Sequence, residues 1–179
     1  MNNNNLTLTT KRLTLKPMCM DYLESTHEYA SDPENTTYML MLPNDSIEET
    51  IGYLKGAEEE IKKDDPSFYE MAVFYEGKHI GAVSIYLDDE RQSGEFGWLI
   101  NKRYHGNGFA PEAAKALLDY SINTLGVRHF IAHCDSENIA SKRVMEKLGF
   151  VLKDEYGGRK NKQSDEDRRE CLYVYDAKA

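Results

Sequence analysis

Leu13 and Leu15 alternate with polar neighbours, the two-residue period of a strand with one buried face. A helical period replaces it over residues 21–30 and stops near Asp32-Pro33. A second helix is predicted after Ser46. The Ser46-x-x-Glu49 spacing suits a capping box, and Ile47, Ile51, Leu54, Ala57 and Ile61 recur at helical intervals before Asp64-Asp65-Pro66. Residues 69–76 and 79–86 read as two strands of a hairpin turning through Gly77-Lys78. Residues 95–100 read as another strand, entered through a polar turn at 88–93.

Beyond that point the pattern changes to strand, helix, strand, helix. Ala114, Leu117, Leu118, Ser121 and Leu125 form one helical stripe opened by Pro111-Glu112 and ended by Gly126. Residues 127–134 predict a mostly buried strand and 138–148 a short helix. Gly149 is placed for a left-handed stop, with Phe150 packing back on Met145 as in a Schellman ending. Residues 154–170 are charged and contain glycines, which predicts a mobile loop, and 172–175 predict a closing strand. The order predicts an α+β or mixed α/β fold.

The chemistry gathers at Arg103-Tyr104-His105-Gly106-Asn107-Gly108-Phe109-Ala110, between a strand and a helix. Two glycines let backbone N–H groups approach a ligand, and the helix points its positive dipole end at the same place. Such a corner binds phosphate. A Walker loop is excluded because no Lys-Ser or Lys-Thr follows Gly108. A dinucleotide fingerprint is excluded because Pro111 stands where its third glycine belongs.

Composition narrows the class. The 179 residues suit one domain, with 40% hydrophobic and 30% charged residues. Apolar runs fall short of the roughly 20 residues of a membrane span. Residues 1–7 read as a disordered tail without secretory-signal order, and 8–179 as the domain. Three scattered cysteines without a CxxC pair argue against a disulfide framework or zinc site and fit a reducing cytoplasm. No metal-ligand spacing is present. A net charge of −9 disfavours nucleic acid; it suits a cationic substrate or simply a soluble surface.

Arg103-x-x-Gly106-x-Gly108-x-Ala110, with Asn138-x-x-Ser141 and Glu146-Lys147-Leu148-Gly149-Phe150, resembles the GNAT superfamily of N-acetyltransferases. Residues 10–17 resemble the opening strand of its ribosomal-protein N-acetyltransferase-like branch. The resemblance implies a twisted mixed sheet with helices on both faces and two parallel central strands that splay to admit coenzyme A. It implies acetyl-CoA as cosubstrate, an amine as acceptor (a protein N-terminus or a small molecule), and a possible homodimer.

On this resemblance, Gly106, Asn107, Gly108, Phe109 and Ala110 offer N–H groups to the pyrophosphate, and Arg103 adds charge. Leu99 and Ile100 pair with the pantetheine arm through their backbones, and Asn138 and Ser141 reach its far end. A bulge near Gly97-Trp98 would free an N–H for the thioester carbonyl. Acetyl transfer needs a base for the amine and an acid for the thiolate. Glu95 is the candidate base and His133 its competitor, each with a purely structural alternative. Met145 stands where many relatives carry Tyr, which shifts the acid role to Ser141; the alternative for Ser141 is a plain place in the first helical turn. Tyr38, Tyr69 and the tail tyrosines are candidate acceptor-pocket residues. No cysteine sits in a nucleophile motif, so transfer is direct. Two other readings remain open: a non-catalytic acyl-CoA sensor, favoured by Met145, and, last, a nucleotide-binding regulator.

Overall fold

The structure, a computed structural model, describes residues 3–178. Among these residues eight strands form one sheet: β1 (Leu8–Thr9), β2 (Leu13–Pro17), β3 (Phe68–Tyr75), β4 (Lys78–Leu87), β5 (Ser93–Ile100), β6 (His129–Asp135), β7 (Val151–Arg159) and β8 (Arg168–Asp176). Their spatial order is β1-β2-β3-β4-β5-β6-β8-β7. Among the described residues only β5 and β6 pair in parallel. Four α-helices among the described residues cover the sheet: α1 (Leu23–Ala30), α2 (Ile47–Glu60), α3 (Phe109–Tyr120) and α4 (Ile139–Leu148). The mixed α/β architecture expected from the sequence is present.

Strand alternation sorts the side chains to two faces. Leu13, Leu15, Met71, Val73, Val83, Ile85, Phe96 and Phe130 bury against Ala113, Ala114, Leu117 and Leu118 of α3 and Val144, Met145 and Leu148 of α4. On the opposite face Met18, Ala72 and Ala82 pack under Leu54 and Ala57 of α2. The small Ala72 and Ala82 side chains leave room for a helix to lie close to the strands. Met145 and Tyr69 both belong to the first core: Met145 is fully buried, and Tyr69 packs edge-on against Tyr120. Tyr69 therefore does not line an acceptor pocket.

Local signals translate directly. Ser46 Oγ accepts from the Glu49 N–H at 3.4 Å, while the Glu49 carboxylate reaches back one residue further than expected, to the Asp45 N–H at 2.9 Å. Gly149 ends α4 at φ 88°, with Phe150 N–H bonded to Met145 C=O and Gly149 N–H to Glu146 C=O, both 3.0 Å. That is the full Schellman pattern. The hairpin between β3 and β4 turns one residue earlier than predicted, through Glu76 and Gly77 at φ 49° and 76°. Two left-handed residues match the right-handed strand twist.

The largest correction concerns residues 154–170. Instead of a mobile loop they supply most of β7 and the start of β8, and β8 slots between β6 and β7 rather than closing an edge. Nearly all of β7 is exposed, because it is an outer edge strand. With no buried face it carries no alternation to read. At the other end Met1 and Asn2 lie outside the described residues, while Asn3–Asn5 forms a 3-10 turn and Leu6 packs on the core.

Candidate active site

β5 and β6 pair at four positions, from Ser93 with His129 to Phe96 with Ala132, and then diverge. The β4–β5 ladder stays in register along its whole length, from Gly81 with Ile100 to Leu87 with Gly94, so no bulge lies at Gly97-Trp98. Bonds from Asn101 N–H to Ile80 C=O and from Asp88 N–H to Ser93 C=O bracket that ladder. Antiparallel alternation then turns the backbone groups of odd-numbered β5 residues toward β4 and those of even-numbered residues toward the gap. Trp98 and Ile100, not Leu99, present backbone to the cleft. The Ile100 carbonyl accepts from the His105 ring at 2.7 Å. The free N–H expected from a bulge thus arises from strand divergence.

The cleft that opens there has a volume of about 550 Å³ and is lined on one side by Trp98, Leu99 and Ile100 and on the other by Asn138, Ala140, Ser141 and Val144. Gly106, Gly108, Phe109 and Ala110 close one end. Gly106 and Gly108 adopt φ 77° and 75°, and Gly108 caps the start of α3. Pro111 falls in the first turn of α3, where its missing N–H leaves no bond unmade. Backbone donors, a helix N-terminus and room for a phosphate coincide, and this fits an anionic, elongated cosubstrate.

Eight of the residues read from the sequence as cofactor-binding line this cleft: Leu99, Ile100, Gly106, Gly108, Phe109, Ala110, Asn138 and Ser141. Two do not. Arg103 pairs with Glu28 at 2.9 Å and lies away from the lining. Asn107 turns its side chain back onto the Tyr104 and His105 carbonyls. The cations at the cleft are instead Arg143 and Lys147, one helical turn apart on α4. Their spacing after Ser141 was the available signal. Asn138 caps α4 by accepting from the Ser141 N–H at 3.1 Å. The cap uses the amide oxygen, and among the described residues the NH₂ has no partner. A loop after α1 supplies Glu34, Asn35, Thr37, Tyr38 and Met39 to the cleft.

The two candidate bases prove to be one unit. His133 Nδ1–H donates to Glu95 Oε1 at 2.7 Å, across the point where β5 and β6 separate. The hydrogen bond that His133 donates to Glu95 raises the proton affinity of its ring above the ordinary imidazole value, against the opposing effect of burial, and the Glu170 carboxylate adds to the rise while Arg159 reduces it.

A buried polar network stands beside this pair. Asp135, fully buried at the end of β6, accepts two bonds from Arg168, one from Asn161 at 2.6 Å and one from the Glu137 N–H. Arg159 donates to Asn161 and to the Tyr38 carbonyl, each at 2.8 Å, and to Glu170. Lys162 and Gln163 fasten the same turn to Met39, Pro43, Pro33 and Thr36. The segment between β7 and β8 therefore clamps the cleft-lining loop after α1. Cys134 and Cys171 face each other across β6 and β8, both buried, and burial pushes the Cys134 thiol up to about 12. Neither is an available thiolate.

The acetyltransferase (GNAT) domain family matches residues 12–151. A Bacillus subtilis protein described as uncharacterized N-acetyltransferase YnaD is 31% identical over 143 residues, covering 80% of this chain and 81% of the relative. The ribosomal-protein-serine acetyltransferase of Escherichia coli is 26% identical over 81 residues, 45% of each chain. RimJ of Mycobacterium smegmatis, solved with a coenzyme A disulfide, shares the fold with a TM-score of 0.84 at 17% identity, covering 98% of this chain and 89% of that one. With the split sheet, the glycine corner and these matches together, the chain belongs to the GNAT family of acetyltransferases.

Proposed function

We propose that this acetyltransferase moves the acetyl group of acetyl-CoA directly to a primary amine, either a protein N-terminus or a small molecule. The observation that carries the reading is the Glu95–His133 pair at the last rungs that join β5 to β6, next to the cleft although neither residue is part of its lining. An ammonium group has no lone pair, so an acceptor must lose a proton before it attacks. The pair takes that proton, and Glu95 stabilises the imidazolium that results.

The remaining groups suit acyl transfer. The glycine corner and the cations Arg143 and Lys147 hold the phosphates, and Trp98 and Ile100 offer backbone to the pantetheine arm. The Trp98 N–H is the donor we assign to the thioester carbonyl as it becomes an oxyanion. The amine nitrogen bonds to the carbonyl carbon and sheds its second proton to solvent, the carbon–sulfur bond breaks, and the leaving thiolate takes a proton from Ser141 Oγ, which regains one from solvent. Met145 takes no part, being sealed in the core.

The Escherichia coli relative, a ribosomal-protein-serine acetyltransferase, supports a polypeptide acceptor. A homodimer would use an outer strand, β1 or β7. Thiol release from acetyl-CoA, followed against peptides with Ser or Ala N-termini, amino acids and polyamines, tests the reading. Acceptor-dependent release is expected. Binding of acetyl-CoA with no acceptor raising the rate above hydrolysis would favour the sensor reading.

A further inference from the structure

Arg159 comes from the stretch that the sequence presents as a solvated loop, yet its side chain is only 6% exposed. Its guanidinium is shared among three segments of the chain, of which the Tyr38 loop lines the cleft. One donor goes to the Tyr38 carbonyl on the cleft-lining loop, one to Glu170 on β8, and one to Asn161, which itself holds Asp135 at the end of β6. Asp135 also accepts the Asn138 N–H through its backbone carbonyl at 2.9 Å, so the same hub sets the start of α4. A planar fork of donors suits this task and a lysine ammonium does not.

We propose that Arg159 is a positioning residue for acetyl transfer, fixing the Tyr38 loop and, with Glu170, tuning the Glu95–His133 pair. This rests on the reading of that pair as proton acceptor. In the sheet register His133 and Asp135 of β6 lie opposite Leu172 and Glu170 of β8, so Glu170 and His133 share the face that Arg159 covers. Among the described residues the charged and titratable groups facing His133 are Glu95 from β5, Glu170 from β8 and Arg159 from the end of β7, with Tyr156 of β7 beside Glu170 and Glu95. Glu170 and Arg159 act on the ring with opposite signs.

Opposite signs give the test. The acidic limb of the kcat/KM–pH profile is measured for the wild type and for Arg159→Gln, Arg159→Lys, Glu170→Gln and His133→Gln, with acetyl-CoA affinity measured by calorimetry in each. Removing Arg159's charge is expected to move the limb toward alkaline pH, and Glu170→Gln toward acid pH, each by about half a pH unit. Acetyl-CoA affinity should stay within about threefold throughout, and acceptor KM should rise in both Arg159 variants because neither lysine nor glutamine forks to Tyr38 and Glu170 together. Arg159→Lys should restore the limb but not the KM.

Glu170→Gln keeps the experiment decisive should Arg159→Gln fold poorly, since Glu170 is nearer the surface. Limbs that do not move, or that move the same way in the Arg159→Gln and Glu170→Gln variants, overturn the proposal. A limb that survives His133→Gln overturns the underlying assignment of the proton acceptor instead. The two failures are thereby separated.

Discussion

Gly81 of β4 lies against the carbonyl of Leu99 so closely that a Cβ on Gly81 would stand 2.3 Å from that oxygen. Backbone, not a movable side chain, is the obstacle. Gly81→Ala must push β5 away from β4, and β5 is the strand that faces the cleft. Expected are a loss of about 2–3 kcal/mol in thermal or denaturant unfolding and weaker acetyl-CoA binding. Unchanged stability would show that β5 yields freely.

The glycine corner separates binding from folding. Gly108 and Gly126 share nearly the same left-handed backbone, φ 75° and 76°, and neither has an atom closer than 3.6 Å to a new Cβ. Alanine at either should cost about 1–2 kcal/mol of stability. Only Gly108→Ala should also weaken acetyl-CoA, by roughly tenfold. Equal affinities in the two variants would remove Gly108 from the cosubstrate site.

Protonation of His133 sets a pH dependence with a definite sign. Its native pKa lies above the ordinary 6.5 because of the Glu95 hydrogen bond. The imidazolium is favoured by folding, so this contribution to stability is complete below the unfolded-state value and disappears as pH rises through the native one. On the proposed role of the pair, activity runs the other way, since the neutral ring would take the proton. kcat/KM should climb with pH through the native value, and Glu95→Gln should move that rise to lower pH while cutting the rate about a hundredfold.

Ser141 and Asn138 touch each other but should fail differently. Ser141→Ala keeps the helix cap, which uses the backbone N–H, and should lower kcat about tenfold with acetyl-CoA affinity retained. Asn138→Ala removes the cap and should cost about 1 kcal/mol of stability as well as affinity. Rapid-mixing kinetics beside calorimetry distinguish the two. Lys147→Ala should weaken acetyl-CoA several-fold at low salt and less at high salt, where screening shortens the reach of its charge to about 3 Å at 1 M.

What the sequence made legible was local. A Schellman ending, a capping serine and a glycine corner are written within a few residues, and the structure realises each. Pairing at a distance was hidden. Glu95 and His133 are 38 positions apart, and only the parallel register of β5 with β6 joins them. The charges of residues 154–170 read as solvation because their partners, Asp135 and the Tyr38 carbonyl, lie far away in the chain. Divergence of two strands leaves no mark on composition either, which is why a bulge was the nearest local guess for a free N–H.

Because β5 and β6 hold only four rungs together, the sheet beyond Phe96 and Ala132 resembles a seam left unsewn. On the proposed site a cosubstrate lying in it acts as thread, bonded to one edge by backbone and to the other through α4. Folding and metabolite supply are then linked: acetyl-CoA at a hundred times its Kd adds about 2.7 kcal/mol to the stability of the native state. A shortage of acetyl-CoA is then expected to lower the midpoint of thermal unfolding as well as the rate of transfer.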